Sequence, residues 1–400
     1  KDIAENLPQA LIQRLQLLPR FQAVRATHFP TSIQEYEKAI FRLKFEEFFI
    51  AQVRLNLVRL QRHKSSRGVV FEKVGDYFND FYTNHLPFEL TNAQKRVLKE
   101  IRQDTAKGHQ MNRLLQGDVG SGKTIVALLS MLIAAGNGYQ SCLMAPTEIL
   151  AQQHFIGLSP LLKNIGLNIR LLTGSTKTKE RKEILHGLLD ESIHIVVGTH
   201  ALIEETVQFK NLGFVVVDEQ HRFGVAQRAA LWKKSVIPPH VLVMTATPIP
   251  RTLAMTAYGD LDYSVMDELP PGRQVITTVQ RNEMQRFKVM EFIRDEIAKG
   301  RQAYIIYPLI EESEKLSYED LMQGYEQVKS YFPEPKYSIS MLHGKMPAEQ
   351  KETNMKRFVA GVTQIMVSTT VIEVGVNVPN ASVMVIESAE KFGLSQLHQI

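Results

Sequence analysis

Hydrophobic and polar positions divide the 400 residues into three zones. Residues 1–86 read as helical. Ser32-Ile33-Gln34-Glu35 has the form of a capping box with Pro30 just upstream. It predicts a long helix to about His63, with Tyr36, Ile40, Leu43, Phe48 and Leu55 among its apolar positions. From Thr91 to about Tyr258 short apolar runs alternate with helical stretches: Arg113–Gln116, Ser141–Ala145, Ile169–Leu172, Ile193–Val197, Phe214–Val217 and Val241–Met244. Runs without internal alternation suit strands buried on both faces of a parallel sheet. Their alternation with helices predicts a doubly wound α/β lobe. The polar, proline-bearing stretch Asp267-Glu268-Leu269-Pro270-Pro271-Gly272-Arg273 reads as a linker. A second set follows, with strands expected at Val275–Val279, Ala303–Tyr307, Ser338–Leu342, Ile365–Val367 and Val383–Ile386, and helices at Glu283–Ala298 and Pro347–Val359. The expected organisation is α/β: a helical segment over 1–86, one parallel-sheet lobe over 87–266 and a second over 267–400.

Composition changes this picture little. At 44% hydrophobic and 22% charged residues the chain is ordinary and globular. Its one cysteine, Cys142, lies in an apolar run and reads as a buried strand thiol. That usage argues against a secreted disulfide framework and fits a reducing cytoplasm. No run of 18 apolar residues predicts a membrane span. Lys1 to Pro8 lack the apolar core of a secretory signal. Both ends look cut, so a fragment of something longer is expected. The net charge of +5 tilts the odds toward a polyanionic partner and no further. No acidic residue falls between Glu47 and Glu72, where Arg54, Arg59, Arg62, His63, Lys64 and Arg67 cluster. They suit either a helix C-terminus or a phosphate-contacting patch.

The chemistry lies in the apolar runs' ends. Gly117-Asp118-Val119-Gly120-Ser121-Gly122-Lys123-Thr124 satisfies the P-loop pattern and stands between a strand-like run and a helical stretch. Its glycines let backbone N–H groups curl around phosphate oxygens, and the helix N-terminus adds its dipole. Lys123 would reach the β- and γ-phosphates and the Thr124 hydroxyl would ligate Mg²⁺. Phe214-Val215-Val216-Val217 runs straight into Asp218 and Glu219, placing a metal-holding carboxylate and a candidate base at the sheet's carboxyl edge. Thr245-Ala246-Thr247-Pro248 follows another run, where hydroxyls can sense a γ-phosphate or water.

Together these segments resemble the superfamily-2 helicases. Gln220 and His221 complete a DEQH motif, and Thr245-Ala246-Thr247 matches the third helicase motif. Ala145-Pro146-Thr147-Glu148-Ile149-Leu150-Ala151-Gln152-Gln153, Thr173-Gly174 and Gly198-Thr199-His200 resemble the strand-contact motifs. Leu342-His343-Gly344-Lys345-Met346 and the run from Ser368 through Thr369 and Thr370 to Pro379 resemble motifs of the second lobe. Asp218 to Arg228, Thr245 to Leu253 and Asp267 to Arg273 are similar to the RecG family of branch-migrating DNA helicases.

The resemblance implies two RecA-like lobes, ATP and Mg²⁺ as cofactors, and branched DNA as partner. It also implies regression of forks and migration of Holliday junctions, with a single-strand-binding protein as a possible further partner. It assigns coupling to Gln220, His221, Thr245, Thr247 and Arg251. It assigns DNA contact to Pro146, Thr147, Thr173, Gly174, Thr199, His200, His343, Gly344, Thr369 and Thr370. Phe88, Thr91 and Gln94 resemble a motif in which the glutamine reads adenine, while Thr91 to Gln94 also fits a capping box. Thr173-Gly174-Ser175 also suits an ordinary turn, and His200 a packed strand-end histidine. Asn377 stands where the superfamily commonly has Asp. A wedge domain upstream and an arginine-rich motif after Ile400 are expected beyond this sequence. The rival readings are an Mfd-like duplex translocase, which shares part of these motifs, and a non-catalytic DNA clamp.

Overall fold

The computed structural model describes residues 3–65, 67–219, 234–247, 261–269, 276–308, 314–369 and 378–400. Gln220, His221, Pro248, Arg251, Thr370, Asn377 and the linker residues 270–275 lie outside the described residues.

The amino-terminal segment is helical: α1 (Gln9–Arg14), α2 (Arg20–His28) and α3 (Ile33–Ser65). Ser32 caps α3, its Oγ accepting the Glu35 N–H at 3.1 Å. Glu35 reaches back to Thr31, one residue beyond the position a strict capping box uses. Arg42 is fully buried and lies between Glu5 and Glu46, and Glu46 also takes Arg20 at 3.1 Å. A buried guanidinium without such carboxylates would be strongly destabilising.

The core of the first α/β lobe begins upstream of residue 87. Val69, Phe71 and Phe81 pack with its sheet residues, flanking the short helix α4 (Asp76–Asp80) and a π turn at Phe81–His85. Helix α5 (Asn92–Thr105) follows. The strands are β1 (Asn112–Gly117), β2 (Gln140–Met144), β3 (Ile169–Leu172), β4 (Ile195–Gly198), β5 (Leu212–Asp218), β6 (His240–Thr245) and β7 (Asp262–Met266). Between the first four come α6 (Lys123–Gly136), α7 (Glu148–Lys163) and, after β3, α8 (Thr178–Leu189). All pairings are parallel, in the order β3-β4-β2-β5-β6-β1-β7. Each face carries its own apolar core. His240 ties the start of β6 to the residue before β1 and to the segment upstream of the sheet: its Nδ1 accepts the Met111 N–H at 2.9 Å, and its Nε2 lies 2.8 Å from the Val69 carbonyl.

The start of the linker is tied to α5, Asp267 to Arg96 at 2.7 Å and Glu268 to the Ala93 N–H at 3.1 Å. The second lobe contains α9 (Arg286–Ala298), β8 (Gln302–Tyr307), α10 (Glu314–Tyr331), β9 (Ile339–Leu342), α11 (Ala348–Val359), β10 (Ile365–Thr369), β11 (Ala381–Ile386) and α12 (Leu394–Gln399). Its sheet is parallel, in the order β11-β8-β10-β9. Two expectations about strands fail. Residues 276–279 form no strand, and Asp262–Met266 forms one that the apolar pattern misses. Among the described residues no helix is long and apolar enough to cross a membrane.

Candidate active site

The loop from Gly117 to Thr124 joins β1 to α6, as the strand–loop–helix pattern requires. Gly122 ends it with φ +89, a left-handed conformation open to glycine. A Cβ there would come within 2.2 Å of the Gln94 amide nitrogen. A Cβ on Gly117 would meet the Ser121 hydroxyl at 2.6 Å. A side chain at Gly122 would be strained by its backbone and would displace Gln94 from the loop, and one at Gly117 would crowd Ser121. Lys123 folds its ammonium onto the loop, donating to the Gly117 carbonyl at 2.7 Å and the Asp118 carbonyl at 2.9 Å. Ser121 Oγ is buried with no hydrogen-bond partner among the described residues. A buried hydroxyl in that state is costly, and a phosphate oxygen is the acceptor it suits. Asp118, Val119 and Gly120 are exposed, Thr124 half-buried.

Gln94 supports this loop from α5. Its Nε2 donates to the Ser121 carbonyl at 3.0 Å, while its Oε1 accepts the Thr91 N–H at 2.9 Å. The Thr91 hydroxyl accepts the Gln94 N–H in return, so the capping box is formed in full. One side chain thus closes a helix start and braces the P-loop.

Asp218 ends β5, and Thr245 ends the neighbouring β6, itself beside β1. Glu219 leaves the strand with φ +48, a sparsely populated conformation for a residue with a Cβ. That turn carries its Oε1 to the Ala246 N–H at 3.1 Å, joining the acidic motif to the Thr245-Ala246-Thr247 segment. Thr245 and Thr247 close on one another, Oγ1 to Oγ1 at 2.6 Å. Asp218 Oδ1 accepts the Glu219 N–H at 3.1 Å, and Oδ2 lies 2.8 Å from His154 Nε2. In the second lobe, α12 brings His398 Nε2 to 2.8 Å from Asp118 Oδ1, so the two lobes meet at the P-loop. Cys142 is fully buried in β2 and burial pushes its thiol up to about 12, which removes it as a nucleophile.

The residues expected to contact nucleic acid fall on the other half of the same sheet edge. Pro146 and Thr147 follow β2, Thr173 and Gly174 follow β3, and Thr199 and His200 follow β4. The sheet order separates β3-β4-β2 from β5-β6-β1, so the two sets occupy adjoining halves of one carboxyl edge. Gly174 and His200 are exposed and Pro146 and Thr147 half-buried, whereas Thr173 and Thr199 are buried. Thr147 caps α7 by accepting the Leu150 N–H at 3.3 Å. In the second lobe His343 follows β9 and Thr369 ends β10; both are buried and Gly344 is exposed. Burial, with Lys351 and Lys345 nearby, pulls the His343 imidazole below its ordinary value.

Two residues of this edge carry no role in the sequence reading. Glu148 accepts the Ser175 N–H at 3.1 Å and its hydroxyl at 2.7 Å, clamping the β3 loop to α7. His154 meets Asp218 across 64 positions of sequence. Only the first had a signal, the acidic residue directly after a helix cap.

Known proteins resemble the chain throughout. The DEAD/DEAH box helicase family signature matches residues 91–256, and the helicase conserved C-terminal domain matches 272–400. The ATP-dependent DNA helicase RecG of Streptococcus pneumoniae is 48% identical over 398 residues, covering 100% of this chain and 59% of that protein. RecG of Synechocystis is 50% identical over 401 residues, covering 100% and 48%. A solved structure of RecG bound to a three-way DNA junction superposes with a TM-score of 0.81 at 41% identity, over 100% of this chain and 52% of that one. A DNA-bound helicase MrfA, 18% identical with a TM-score of 0.59, shares the fold. The chain spans about half to three fifths of the length of the curated relatives it matches. Two parallel-sheet lobes, a P-loop braced by Gln94, an acidic motif bonded to the next strand's end and this degree of identity place the chain in the RecG family of ATP-dependent DNA helicases.

Proposed function

We propose that the chain is the motor of an ATP-dependent DNA helicase that migrates Holliday junctions and regresses stalled replication forks. The observation that supports this best is the placing of three motifs on adjacent strand ends. The P-loop follows β1, Thr245-Ala246-Thr247 follows β6, and Asp218 and Glu219 follow β5. In this reading ATP lies on residues Gly117 to Thr124, and Lys123 exchanges its two loop carbonyls for phosphate oxygens. The Thr124 hydroxyl and, through water, Asp218 would hold Mg²⁺, and the half-buried Thr124 and acceptor-only Asp218 suit that ion. Bound there, Mg²⁺ supplies neutralisation of phosphate charge. Glu219 orients the attacking water and takes its proton. Its bond to Ala246 passes the change to the neighbouring strand end. Gln94 contacts adenine with the amide N–H that Ser121 does not use.

DNA lies along the β3-β4-β2 half of the edge and the matching edge of the second lobe. Pro146, Thr147, Thr173, Gly174, Thr199, His200, His343, Gly344, Thr369 and Thr370 are the candidate contacts, the buried threonines acting through the shape of their loops. Backbone contacts carry no sequence information, so the motor is indifferent to sequence. Branched DNA is the partner of choice in this reading, by kinship with the RecG that was solved on a three-way junction. A single-strand-binding protein is a further partner, and the cytoplasm its place of work.

The test is phosphate release by the intact protein with a three-way junction, linear duplex or no DNA. Junction DNA should stimulate turnover most, and Lys123→Ala should reduce it to background. A protein that DNA leaves unstimulated, or near-normal turnover in Lys123→Ala, contradicts the proposal.

A further inference from the structure

We infer that His154 is a positioning residue that holds the Asp218 carboxylate and, through α7, links the DNA half of the sheet edge to the nucleotide half. The inference rests on the reading of those two halves given above. Its first support is the contact itself. His154 Nε2 lies 2.8 Å from Asp218 Oδ2, and both side chains are only 13% exposed. An ionised carboxylate accepts hydrogen bonds and donates none, so the imidazole donates. With Glu219 N–H on the other oxygen, both Asp218 oxygens are held and the carboxylate plane is fixed. Hydrogen bonding suffices for this, and no charge on the ring is needed.

The second support is where His154 comes from. Helix α7 starts at the Thr147 cap beside β2, on the DNA half. Its first residue, Glu148, grips the loop after β3 through Ser175. Residue 154 lies seven positions beyond Thr147, which is two turns and roughly 10 Å along one helix face. Pro160, the proline inside α7, removes the N–H that would bond residue 156 and so interrupts the helix only beyond His154. An unbroken stretch of helix therefore runs from two DNA-side loops to the carboxylate. The helix itself packs beside β3 and β4, and the His154 side chain is what reaches over the seam between β2 and β5, where the halves adjoin. A displacement of the Thr147 or Ser175 loop on DNA binding is carried to Asp218 by a rigid element rather than by a flexible loop.

The test compares His154→Ala and His154→Gln in the intact protein, with Lys123→Ala alongside. Three quantities are read: affinity for a fluorescent ATP analogue with and without Mg²⁺, affinity for a three-way junction, and kcat and KM for ATP with and without that DNA. Thermal melting checks folding. His154→Ala should leave junction affinity and Mg²⁺-free nucleotide affinity within about twofold. The gain in nucleotide affinity that Mg²⁺ brings should fall by about tenfold or more, the range seen when a partner of a metal-holding side chain is removed. DNA stimulation of kcat should fall with it, and KM for ATP in the presence of Mg²⁺ should rise by a similar factor with and without DNA. Glutamine places an amide donor near the Nε2 position, so His154→Gln should recover most of both. If His154→Ala fails to fold, His154→Gln carries the test through the same readouts. Full Mg²⁺ gain and full DNA stimulation in His154→Ala overturn the inference. So does a His154→Gln that folds and is as defective as His154→Ala, because packing would then be the cause. Unchanged nucleotide binding in Lys123→Ala overturns the nucleotide site itself; lost binding there beside a normal His154→Ala overturns only the role of His154.

Discussion

Glu219 shows how one backbone conformation serves the site. Its φ of +48 bends the chain out of β5, and the carboxylate lands on the Ala246 N–H of the next strand. Glu219→Gln keeps the bend and the acceptor oxygen but cannot take a proton. ATP-analogue affinity should therefore stay within a fewfold, while single-turnover hydrolysis slows by about a hundredfold or more, in the range general bases contribute. Lost nucleotide binding in that variant would contradict a role as base. The P-loop, Asp218 and Glu219 are legible in the sequence because their chemistry is written in consecutive residues after an apolar run. His154 is not, because its partner is 64 positions away and a histidine on a helix face carries no sign of its neighbour. The same holds for Gln94: the sequence shows a capping residue, and only the fold brings Ser121 to its free end.

At the level of elements, the start of α5 does two things through two side chains. Thr91 caps the helix, and Gln94 both completes the cap and braces the P-loop. Their substitutions separate the roles. Thr91→Ala should cost roughly 1 kcal/mol of stability, as lost caps do, with little change in nucleotide affinity. Gln94→Ala should cost a similar amount and also weaken nucleotide binding. Chemical denaturation and nucleotide titration measure the two effects, and equal nucleotide defects in both variants would show that the brace is only a cap. The buried central strands are legible as short apolar runs. Strand β7 is not: Asp262–Met266 alternates between buried and half-buried positions because it lies at the sheet's edge beside β1. The opposite error falls at 276–279, where β-branched residues suggest a strand but Ile276 and Val279 are exposed. Propensity without a neighbouring strand does not make a ladder.

Across the whole molecule, buried His240 makes the first lobe sensitive to acid. Burial lowers its imidazole to about 4, against the opposing pull of the Val69 carbonyl and Asp104. The Met111 N–H on Nδ1 requires that nitrogen to be unprotonated. The unfolded chain takes up a proton near pH 6.5, where the folded one does not, so stability is full above that value and falls as the pH drops toward 4. About 2 kcal/mol should be lost between pH 7 and pH 5 from this group. Denaturant midpoints of the intact protein and of His240→Gln, compared at those two pH values, read its share; equal pH dependence in both would assign the loss elsewhere.

The strand order has a consequence for how the protein comes into being. Strand β1, which carries the P-loop, is the first of the first lobe to be synthesised, yet its ladder partners are Val241 to Thr245 on one side and Asp262 to Met266 on the other. Between them the chain lays down the whole β2–β4 half of the sheet. A nascent chain that stops short of His240 holds every atom of the phosphate loop and has no sheet to set it in. Long-range pairing of this kind is slow, because loop closure precedes any gain from contact. If the loop after β1 is the nucleotide site, binding of an ATP analogue is expected only once β6 and β7 have docked on β1, and would report that the lobe's last strands are in place.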